Sequence, residues 1–275
     1  MLRWQAAIAI SVGLLVLALP LLRLRSRGWR LAGRTGVEAA VVLLLFALWQ
    51  VLLIRLVTQV DGAVGRGRAV WRWERAVHLP SEATLQHALR ARPVVEVASA
   101  YYASLHYAVV IATLVWLFVR HRARYHWGLA VLVVTTALTI PLQGIPVAPP
   151  RLVSGLGVQD AAATVGLAVY DGDGLRYPGQ LTAMPSVHCA WAAIVAAIVI
   201  GAGTWRWRWV VLAYPVATLL VTVVTGNHYW ADGLASWALL AVALALITGV
   251  RRLPAVRRRQ TAPALERPLA DVLAR

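Results

Sequence analysis

Three residues in this sequence have the types and spacing for proton transfer or nucleophilic attack. His228 and Asp232 are four residues apart, so a helical backbone places them on one face within hydrogen-bonding distance. A carboxylate on one ring nitrogen of a histidine fixes the tautomer and makes the other nitrogen a better nucleophile or base. His188 begins another apolar run and is predicted at the same depth. The pattern indicates a candidate catalytic group of two histidines and one acid.

A candidate anion site lies next to His188. Pro185 suits the first turn of a helix. The N-terminus of a helix presents unpaired N–H groups and a positive dipole end, both of which suit phosphate. Ser186 can add a hydroxyl, and Arg151 can add a bidentate guanidinium from the same side of the membrane. These residue types therefore favour phosphate chemistry.

The chain around these residues has the composition of a membrane protein. Of its 275 residues, 60% are hydrophobic and 14% are charged, which excludes an ordinary soluble domain. Seven apolar runs approach the roughly 20 residues that a helix needs to cross a bilayer. We predict spans at residues 4–22, 37–60, 97–119, 127–147, 185–202, 209–225 and 229–250. The predicted fold is all-α, a polytopic membrane helix bundle of about seven spans.

A single integral membrane domain is predicted for residues 1–275. It comprises an extra N-terminal span with a basic loop (1–36), a catalytic helix bundle (37–250) and a flexible basic tail (251–275). A cleaved secretory signal is the alternative for the first run. Arginines follow that run directly and no small-residue cleavage site is present, so an uncleaved span is the prediction.

The arginines predict the orientation of the chain. All 27 basic residues are arginine, and they lie mainly between the apolar runs, which is typical of membrane topology and not of a nucleic-acid partner. Because cytoplasmic loops retain positive charge, residues 23–34, 120–124 and 206–208 and the tail from 251 are predicted on the cytoplasmic side. The N-terminus is then outside, the C-terminus is cytoplasmic, and the site faces outwards from the plasma membrane.

The segment 61–96 fits this orientation least well, since it carries six arginines against four acids. Its length makes its translocation acceptable. Within it, Ser81 and Glu82 predict a short helix through Arg90, on the outer membrane interface or in a solvated loop. Of the eleven acidic residues only Asp232 lies well inside a predicted span, which marks it as a functional candidate.

Three motifs resemble those of the type-2 phosphatidic acid phosphatase superfamily, and within it those of the branch that includes the fungal inositol phosphorylceramide synthases. They are Ala-Pro-Pro-Arg at 148–151, Ala-Met-Pro-Ser-Val-His at 183–188 and Asn-His-Tyr-Trp-Ala-Asp at 227–232. Each motif alone is weakly specific, whereas their order and their placement at the outer ends of successive spans are specific. The resemblance extends over residues 101–241, half of the chain.

The resemblance implies a six-helix core and a mechanism. His228 would attack phosphorus and form a phosphohistidine, and Asp232 would orient it and stabilise its charge. His188 would protonate the leaving oxygen and then activate the acceptor. The substrate would be a lipid phosphoester at the outer leaflet, and the acceptor would be water or an alcohol such as inositol or a sugar. The resemblance implies neither a metal nor another cofactor.

Further residues are candidate ligands of the substrate, and the resemblance implies those that bind the phosphoryl group. Arg151, Ser186 and backbone N–H groups near Val187 would hold the equatorial oxygens of the phosphoryl group. The remaining candidate contacts are His106, Tyr101, Tyr102, Asn227, Tyr229, Arg176 and Gln143.

The sequence departs from the broad superfamily pattern at four positions. Where the pattern has a lysine and an arginine, this chain has Gly144 and Thr222. Where it has a proline and a glycine, this chain has Leu152 and Val187. At least two phosphate-binding cations are therefore absent, which favours the synthase-like branch. The candidates to replace the lost charge are Arg176, Gln143 and Asn227.

Several alternatives stay open at this point. A plain lipid phosphate phosphatase and a non-catalytic protein that binds or transports a lipid headgroup are the alternative functions. The two histidines and the aspartate also suit Zn²⁺. The single cysteine, Cys189, excludes an intramolecular disulfide and is predicted as a small buried residue. The Asp-Gly-Asp-Gly stretch at 171–174 is predicted as a turn, not as a Ca²⁺ loop. The oligomeric state is left undetermined.

Overall fold

The computed structural model describes residues 4–24, 26–56, 61–167 and 178–260. Within these ranges the chain is helical with short connections, and its only β contact is an isolated bridge between Val147 and Thr182. This confirms the all-α fold class. The α-helices are α1 (Trp4–Leu22), α2 (Arg27–Leu56), α3 (Ala63–Ala76), α4 (Glu82–Ala88), α5 (Arg92–Ala100), α6 (His106–Arg120), α7 (Arg122–Gln143), α8 (Ala161–Thr164), α9 (Val187–Ala202), α10 (Ala213–Val224) and α11 (Trp230–Gln260).

Five segments of the described chain are long and apolar enough to cross a membrane. They are Gln5–Leu22, Gly28–Leu52, Arg122–Gln143, Arg206–Val224 and Trp230–Gly249. A sixth results if Arg92–Leu105 and Tyr107–Arg120, which are bent by 46°, count as one broken span. The fifth predicted run, 185–202, forms α9, which is apolar but has only 16 residues. All seven runs thus contain a helix, although at most six of them have the length of a full span.

The bend in the third predicted span has a local cause. A π-helical turn over Tyr101–Leu105 separates α5 from α6, and π turns are a recognised origin of helix kinks. The straight span predicted at 97–119 is therefore two helices that meet at an angle. The same turn places Tyr102 in the interior, where it is buried.

Helix α9 is the centre of the bundle. It packs against α6, α7, α10 and α11. It is apolar on all sides, as a helix surrounded by other helices must be, and Ala190, Ile194 and Ile198 are almost fully buried. Because α9 begins at Val187, His188 lies at the N-terminal end of this central helix.

Helices α1 and α2 form a hairpin at the edge of the bundle. They pack along each other, and α2 also packs against α7. Gly36 permits their close approach, since a Cβ there would lie 2.7 Å from the Cβ of Ala18. Because α2 begins at Arg27, much of the basic loop predicted within residues 1–36 is helical, and the helix continues through the predicted boundary at 37.

Helices α3 and α4 lie at the end of the bundle where α9 begins. The carbonyl of Ala63, at the start of α3, accepts from Ala148 N at 3.1 Å. The short helix predicted from Glu82 is confirmed as α4, which ends at Ala88. Its N-cap is Ser81, whose Oγ accepts from the backbone N–H of the third helical residue at 3.4 Å.

The arginine-rich links meet at the opposite end of the bundle. Arg124 donates to the carbonyl of Gly201, and Arg208 donates to the carbonyl of Gly203, both at the C-terminal end of α9. His188 lies at the other end of α9, about 20 Å away at 1.5 Å per residue. The fold thus separates two basic links from the candidate site by the length of the central helix.

Helix α11 is longer than predicted. Its span was expected to end at residue 250, with a flexible tail from 251, but the helix continues to Gln260. Arginine, leucine, alanine and glutamine, which dominate residues 251–260, are good helix formers. Residues 261–275 lie outside the described part of the chain.

Candidate active site

The fold brings His188, His228 and Asp232 together. The centroids of the two imidazole rings are 5.8 Å apart, and Nδ1 of His228 lies 3.2 Å from Oδ2 of Asp232. The sequence predicted this contact on a helical backbone, but α11 begins only at Trp230. His228 therefore lies in the turn before the helix, and the carboxylate reaches back to it.

A backbone carbonyl also holds the imidazole of His228. The carbonyl of Ala183 lies 2.8 Å from Nδ1. Since a carbonyl oxygen only accepts, this hydrogen bond requires the proton on Nδ1. The lone pair is then on Nε2, which is the tautomer that a nucleophilic histidine needs.

Asp232 is fully buried in the first turn of α11. Its Oδ2 accepts from Tyr229 N at 2.9 Å in addition to the imidazole. Its backbone carbonyl accepts from Ser186 N at 3.2 Å. The hydroxyl of Ser236 lies 2.7 Å from the carbonyl of Ser186 and 2.8 Å from that of Asp232. These bonds connect the start of α9 to α11 and so fix the relative positions of the two histidines.

His188 is oriented by an aromatic ring. Its imidazole stacks on Tyr102, with centroids 4.2 Å apart and planes inclined by 19°. Tyr102 comes from the π-helical turn between α5 and α6, and such turns often occur at functional sites. The bend that the sequence did not predict thus supplies the surface on which the second histidine rests.

Arg151 is held by three side-chain acceptors. Its Nε donates to Asn227 Oδ1 at 2.9 Å, one terminal nitrogen to Asp160 Oδ2 at 3.1 Å, and the other to Gln180 Oε1 at 2.8 Å. Only 4% of the arginine side chain is exposed. The guanidinium is therefore fixed in place before any ligand binds, as a preorganised anion-binding group requires.

These residues surround a cavity of about 150 Å³. A water molecule occupies about 30 Å³ in the liquid, so the cavity has room for a small polar group. Its lining residues are Trp49, Tyr102, Tyr107, Gln143, Pro149, Arg151, Gly179, Gln180, Thr182, Ala183, Val187, His188, Asn227 and His228.

A histidine with its lone pair on Nε2, a second histidine and a fixed arginine around one small cavity suit phosphoryl transfer. A family model described as the PAP2 superfamily matches residues 68–246. The chain belongs to the PAP2 superfamily. No curated protein and no solved structure matches it. Membership confirms the superfamily predicted from the three motifs and makes the protein a membrane enzyme of the lipid phosphatase or phosphotransferase type. The branch of the inositol phosphorylceramide synthases stays a prediction.

Most of the predicted site residues line the cavity of this PAP2 protein. They are Tyr102, Gln143, Arg151, Val187, His188, Asn227 and His228. The superfamily match begins at residue 68, so α1 and α2 precede it. Trp49 on α2 nevertheless reaches the cavity, which means that a helix outside the matched region contributes to the site.

Besides Asp232, three predicted residues that the structure describes do not line the cavity. Ser186 is fully buried as the N-cap of α9, where its Oγ accepts from the backbone N–H three residues later at 3.3 Å. Tyr101 forms a 2.6 Å hydrogen bond with the hydroxyl of Thr218. Tyr229 is fully buried, and its hydroxyl donates to the carbonyl of Ala148 at 3.1 Å. Their contacts position the elements of the site.

Other predictions concern residues that the structure describes only in part. His106 begins α6, but its side chain is not among those described. Arg176 and the stretch at 171–174 lie outside the described residues. Among the residues that are described, no three His, Cys, Asp or Glu side chains are grouped to hold a metal ion. Cys189 is buried, as predicted.

Sequence reasoning missed several residues of the site. Gln180 and Thr182 belong to no motif that the sequence revealed, and both line the cavity. For Asp160 the sequence did carry a local sign of a helix start, because an aspartate before a run of alanines suits an N-cap. In the structure it caps α8, and its side chain accepts from Ala163 N at 3.3 Å. Its ion pair with Arg151 joins residues in separate loops, and no sequence spacing indicates that pairing.

Proposed function

We propose that the protein is a metal-independent phosphotransferase that moves the phospho-headgroup of a lipid phosphoester, to or from inositol or a sugar, through a phosphohistidine on His228. One observation carries the proposal. Nδ1 of His228 contacts both the Ala183 carbonyl, at 2.8 Å, and Asp232, at 3.2 Å. Both contacts keep the proton on Nδ1, so reactivity is directed to Nε2.

The reaction follows in two displacements. In the first, the lone pair of His228 Nε2 forms a bond to phosphorus while the bond from phosphorus to the leaving oxygen breaks, and His188 gives that oxygen a proton. In the second, His188 takes a proton from the acceptor hydroxyl, whose oxygen attacks phosphorus as the P–N bond breaks. Asp232 stabilises the positive charge that the phosphorylated imidazole carries.

The charge at the cavity favours a phosphodiester over a phosphomonoester. Among the described residues that line the cavity, Arg151 is the only one with a permanent charge, and Asp160 partly neutralises it. A monoester carries about −1.5 to −2 charges at pH 7, whereas a diester carries one. The lysine and arginine of the broad superfamily pattern are Gly144 and Thr222 here. A singly charged headgroup diester therefore matches the site better.

A second cavity supports a lipid substrate. It measures about 610 Å³ and adjoins the polar cavity, because Trp49 and Tyr107 line both. Its walls are apolar side chains of α2, α6 and α7, including Leu48, Leu114 and Leu132. A lipid whose phosphate lies beside Arg151 can place one chain there, because the apolar walls take the place of the bilayer hydrocarbon around that chain.

We assign the site to the outer leaflet on the distribution of arginines. Arg124 and Arg208 lie at the end of α9 opposite to His188, and basic links are retained in the cytoplasm. A membrane-impermeant maleimide is expected to label Ser154→Cys, which is exposed near the site, in intact cells. Thr204→Cys, exposed at the other end, serves as the control and should react only after permeabilisation. The reverse labelling pattern excludes an outward-facing site.

The substrate proposal is tested with purified protein in EDTA. Phosphatidic acid and phosphatidylinositol, each with long or short chains, are supplied with and without inositol, and products are followed by mass spectrometry. We expect headgroup transfer that survives chelation, faster turnover of the diester, and a preference for long chains. Trp49→Ala is expected to reduce that chain-length preference, because the residue lies between the two cavities.

Each alternative gives a different product pattern. Release of free phosphate from phosphatidic acid, unaffected by inositol, identifies a plain lipid phosphatase. Binding without turnover of either lipid identifies a headgroup-binding or transport protein. Loss of all activity in EDTA, with recovery on addition of Zn²⁺, overturns the metal-independent mechanism.

A further inference from the structure

Two acidic side chains outside the predicted spans are completely buried. Glu74 on α3 and Glu82 at the start of α4 both have no exposed surface. Burial of a carboxylate is unfavourable unless a cation or hydrogen-bond donors compensate it. Their contacts therefore determine which of the two carries a charge.

The available cation belongs to Glu82. Both terminal nitrogens of Arg75 donate to its carboxylate, at 3.2 and 3.4 Å. Arg75 also forms an ion pair with Glu74, but its 3.6 Å distance from Oε2 is too long for a hydrogen bond. Within the described chain, Oε2 of Glu74 accepts no hydrogen bond. Since Arg75 contacts both carboxyl groups, the two acids lie close together in the interior. Two buried carboxyl groups beside a single cation favour a proton on one of them, which that group can then donate to the other. The closer contacts of Arg75 with Glu82 place this proton on Glu74.

The other oxygen of Glu74 contacts the catalytic helix. Its Oε1 accepts from the backbone N–H of Ala231 at 2.7 Å. Ala231 lies in the first turn of α11, where N–H groups have no acceptor within the helix. The next residue is Asp232, which holds the nucleophilic imidazole. Glu74 is thus one hydrogen bond and one residue away from the catalytic pair.

We propose that Glu74, as a neutral carboxylic acid between Glu82 and Ala231, is a positioning residue that holds the start of α11 so that Asp232 and His228 keep their catalytic geometry. This inference rests on the function proposed above. Ionisation of Glu74 removes its hydrogen bond to Glu82 and places a second negative charge near Asp232.

The surroundings of Glu74 favour its neutral form. The charged and titratable groups that face it are Arg75 on its own helix, Glu82 on α4, Tyr229 in the turn before α11 and Asp232 in the first turn of α11. Burial, then the hydrogen bond to Glu82 and the negative charges of Glu82 and Asp232, raise the pKa of Glu74 to about 9, against the opposing hydrogen bond from Ala231. The side chain is therefore neutral at pH 7.

The test compares Glu74→Gln with Glu74→Ala. Glutamine can accept from Ala231 and donate to Glu82, so Glu74→Gln is expected to keep kcat within about threefold of wild type at pH 7. Alanine makes neither bond, so kcat is expected to fall roughly 10- to 100-fold with little change in KM. Wild-type kcat should decline around pH 9, where Glu74 loses its proton, and that decline should be absent in Glu74→Gln.

Glu96→Gln is the matched control, because Glu96 forms an exposed ion pair with Arg92; its pH profile should equal that of wild type. Full kcat in Glu74→Ala overturns the inference, and so does a decline at pH 9 that persists in Glu74→Gln. If Glu74→Ala does not fold, the comparison of wild type with Glu74→Gln still decides.

A stability measurement separates this inference from the proposed function. The raised pKa means that folded Glu74 keeps its proton up to about pH 9, while the unfolded chain releases it near 4.5. The contribution of Glu74 to stability is complete below pH 4.5 and is lost as the pH rises towards 9. The unfolding temperature of wild type should therefore fall over this range relative to Glu74→Gln. This difference is expected even if no lipid is turned over, and equal pH dependence of the two proteins contradicts a neutral Glu74.

Discussion

His228→Ala is expected to abolish turnover of every lipid phosphoester, by a factor of at least about 10⁴ in kcat. The variant lacks the only protein atom proposed to bond to phosphorus. Its effect on folding should be small, because the side chain lines a cavity and Asp232 keeps its bond from Tyr229 N. The measurement is single-turnover kinetics with radiolabelled headgroup, together with acid-labile labelling of the protein. Label that appears in the variant at the wild-type rate rules out His228 as the nucleophile.

The control for this prediction is His126→Ala. His126 is exposed on α7, at the arginine-rich end of the bundle, so its removal should change neither kcat nor labelling. Added imidazole gives a further test, since a free imidazole can enter the space left by the missing ring. Partial recovery of turnover with imidazole, and none with an amine of similar size, is the result expected for a nucleophilic histidine.

His188→Ala separates the second histidine from the first. An activated phosphoester with a good leaving group needs no proton from His188, so the variant should still form the phosphohistidine from it. Without a base for the acceptor, that intermediate should persist instead of turning over. Equal loss of labelling in both variants would assign His188 to phosphate binding and not to proton transfer.

The local part of the site could be predicted from the sequence. The spacing of His228 and Asp232 indicated their contact, which the structure forms even though the helix begins two residues after the histidine. The apolar runs indicated the helices, because about 20 apolar residues have few other stable arrangements in a bilayer. Ser81 indicated a helix start through its ability to cap N–H groups.

Contacts between distant segments could not be predicted in this way. The Ala183 carbonyl that fixes the tautomer of His228 is a backbone atom, which any residue type would supply. The acids Glu74 and Glu82 were expected in a solvent-exposed or interfacial segment, but α3 and α4 fold onto the start of α11 and bury both. The π turn at 101–105 contains neither proline nor glycine, so no residue type marked the bend.

Arg151→Lys is expected to lower kcat/KM by roughly 10²- to 10³-fold, the cost of losing one well-placed donor to a transition-state oxyanion. A guanidinium presents five N–H groups in a planar fork, whereas an ammonium is a compact point charge with three donors. The three acceptors of Arg151 lie in different loops, on Asn227, Asp160 and Gln180. A lysine keeps the charge but cannot make these bonds in the same plane, so the phosphoryl oxygens lose a fixed donor.

Arg68→Lys is the matched control for this substitution. Arg68 donates to the carbonyl of Ser154 at 3.1 Å. Ser154 is close in sequence to Arg151, but this hydrogen bond lies on an exposed surface. The same change of side chain there should leave kcat/KM within about twofold of wild type, as exposed pairs contribute little.

The comparison of these variants uses phosphatidylinositol and phosphatidic acid in parallel. If Arg151 supplies the main positive charge for the headgroup, Arg151→Ala should impair the doubly charged monoester more than the diester. Equal activity of Arg151→Lys and Arg68→Lys would instead show that the guanidinium only connects the loops around the cavity, and the cation that binds phosphate would have to be another residue.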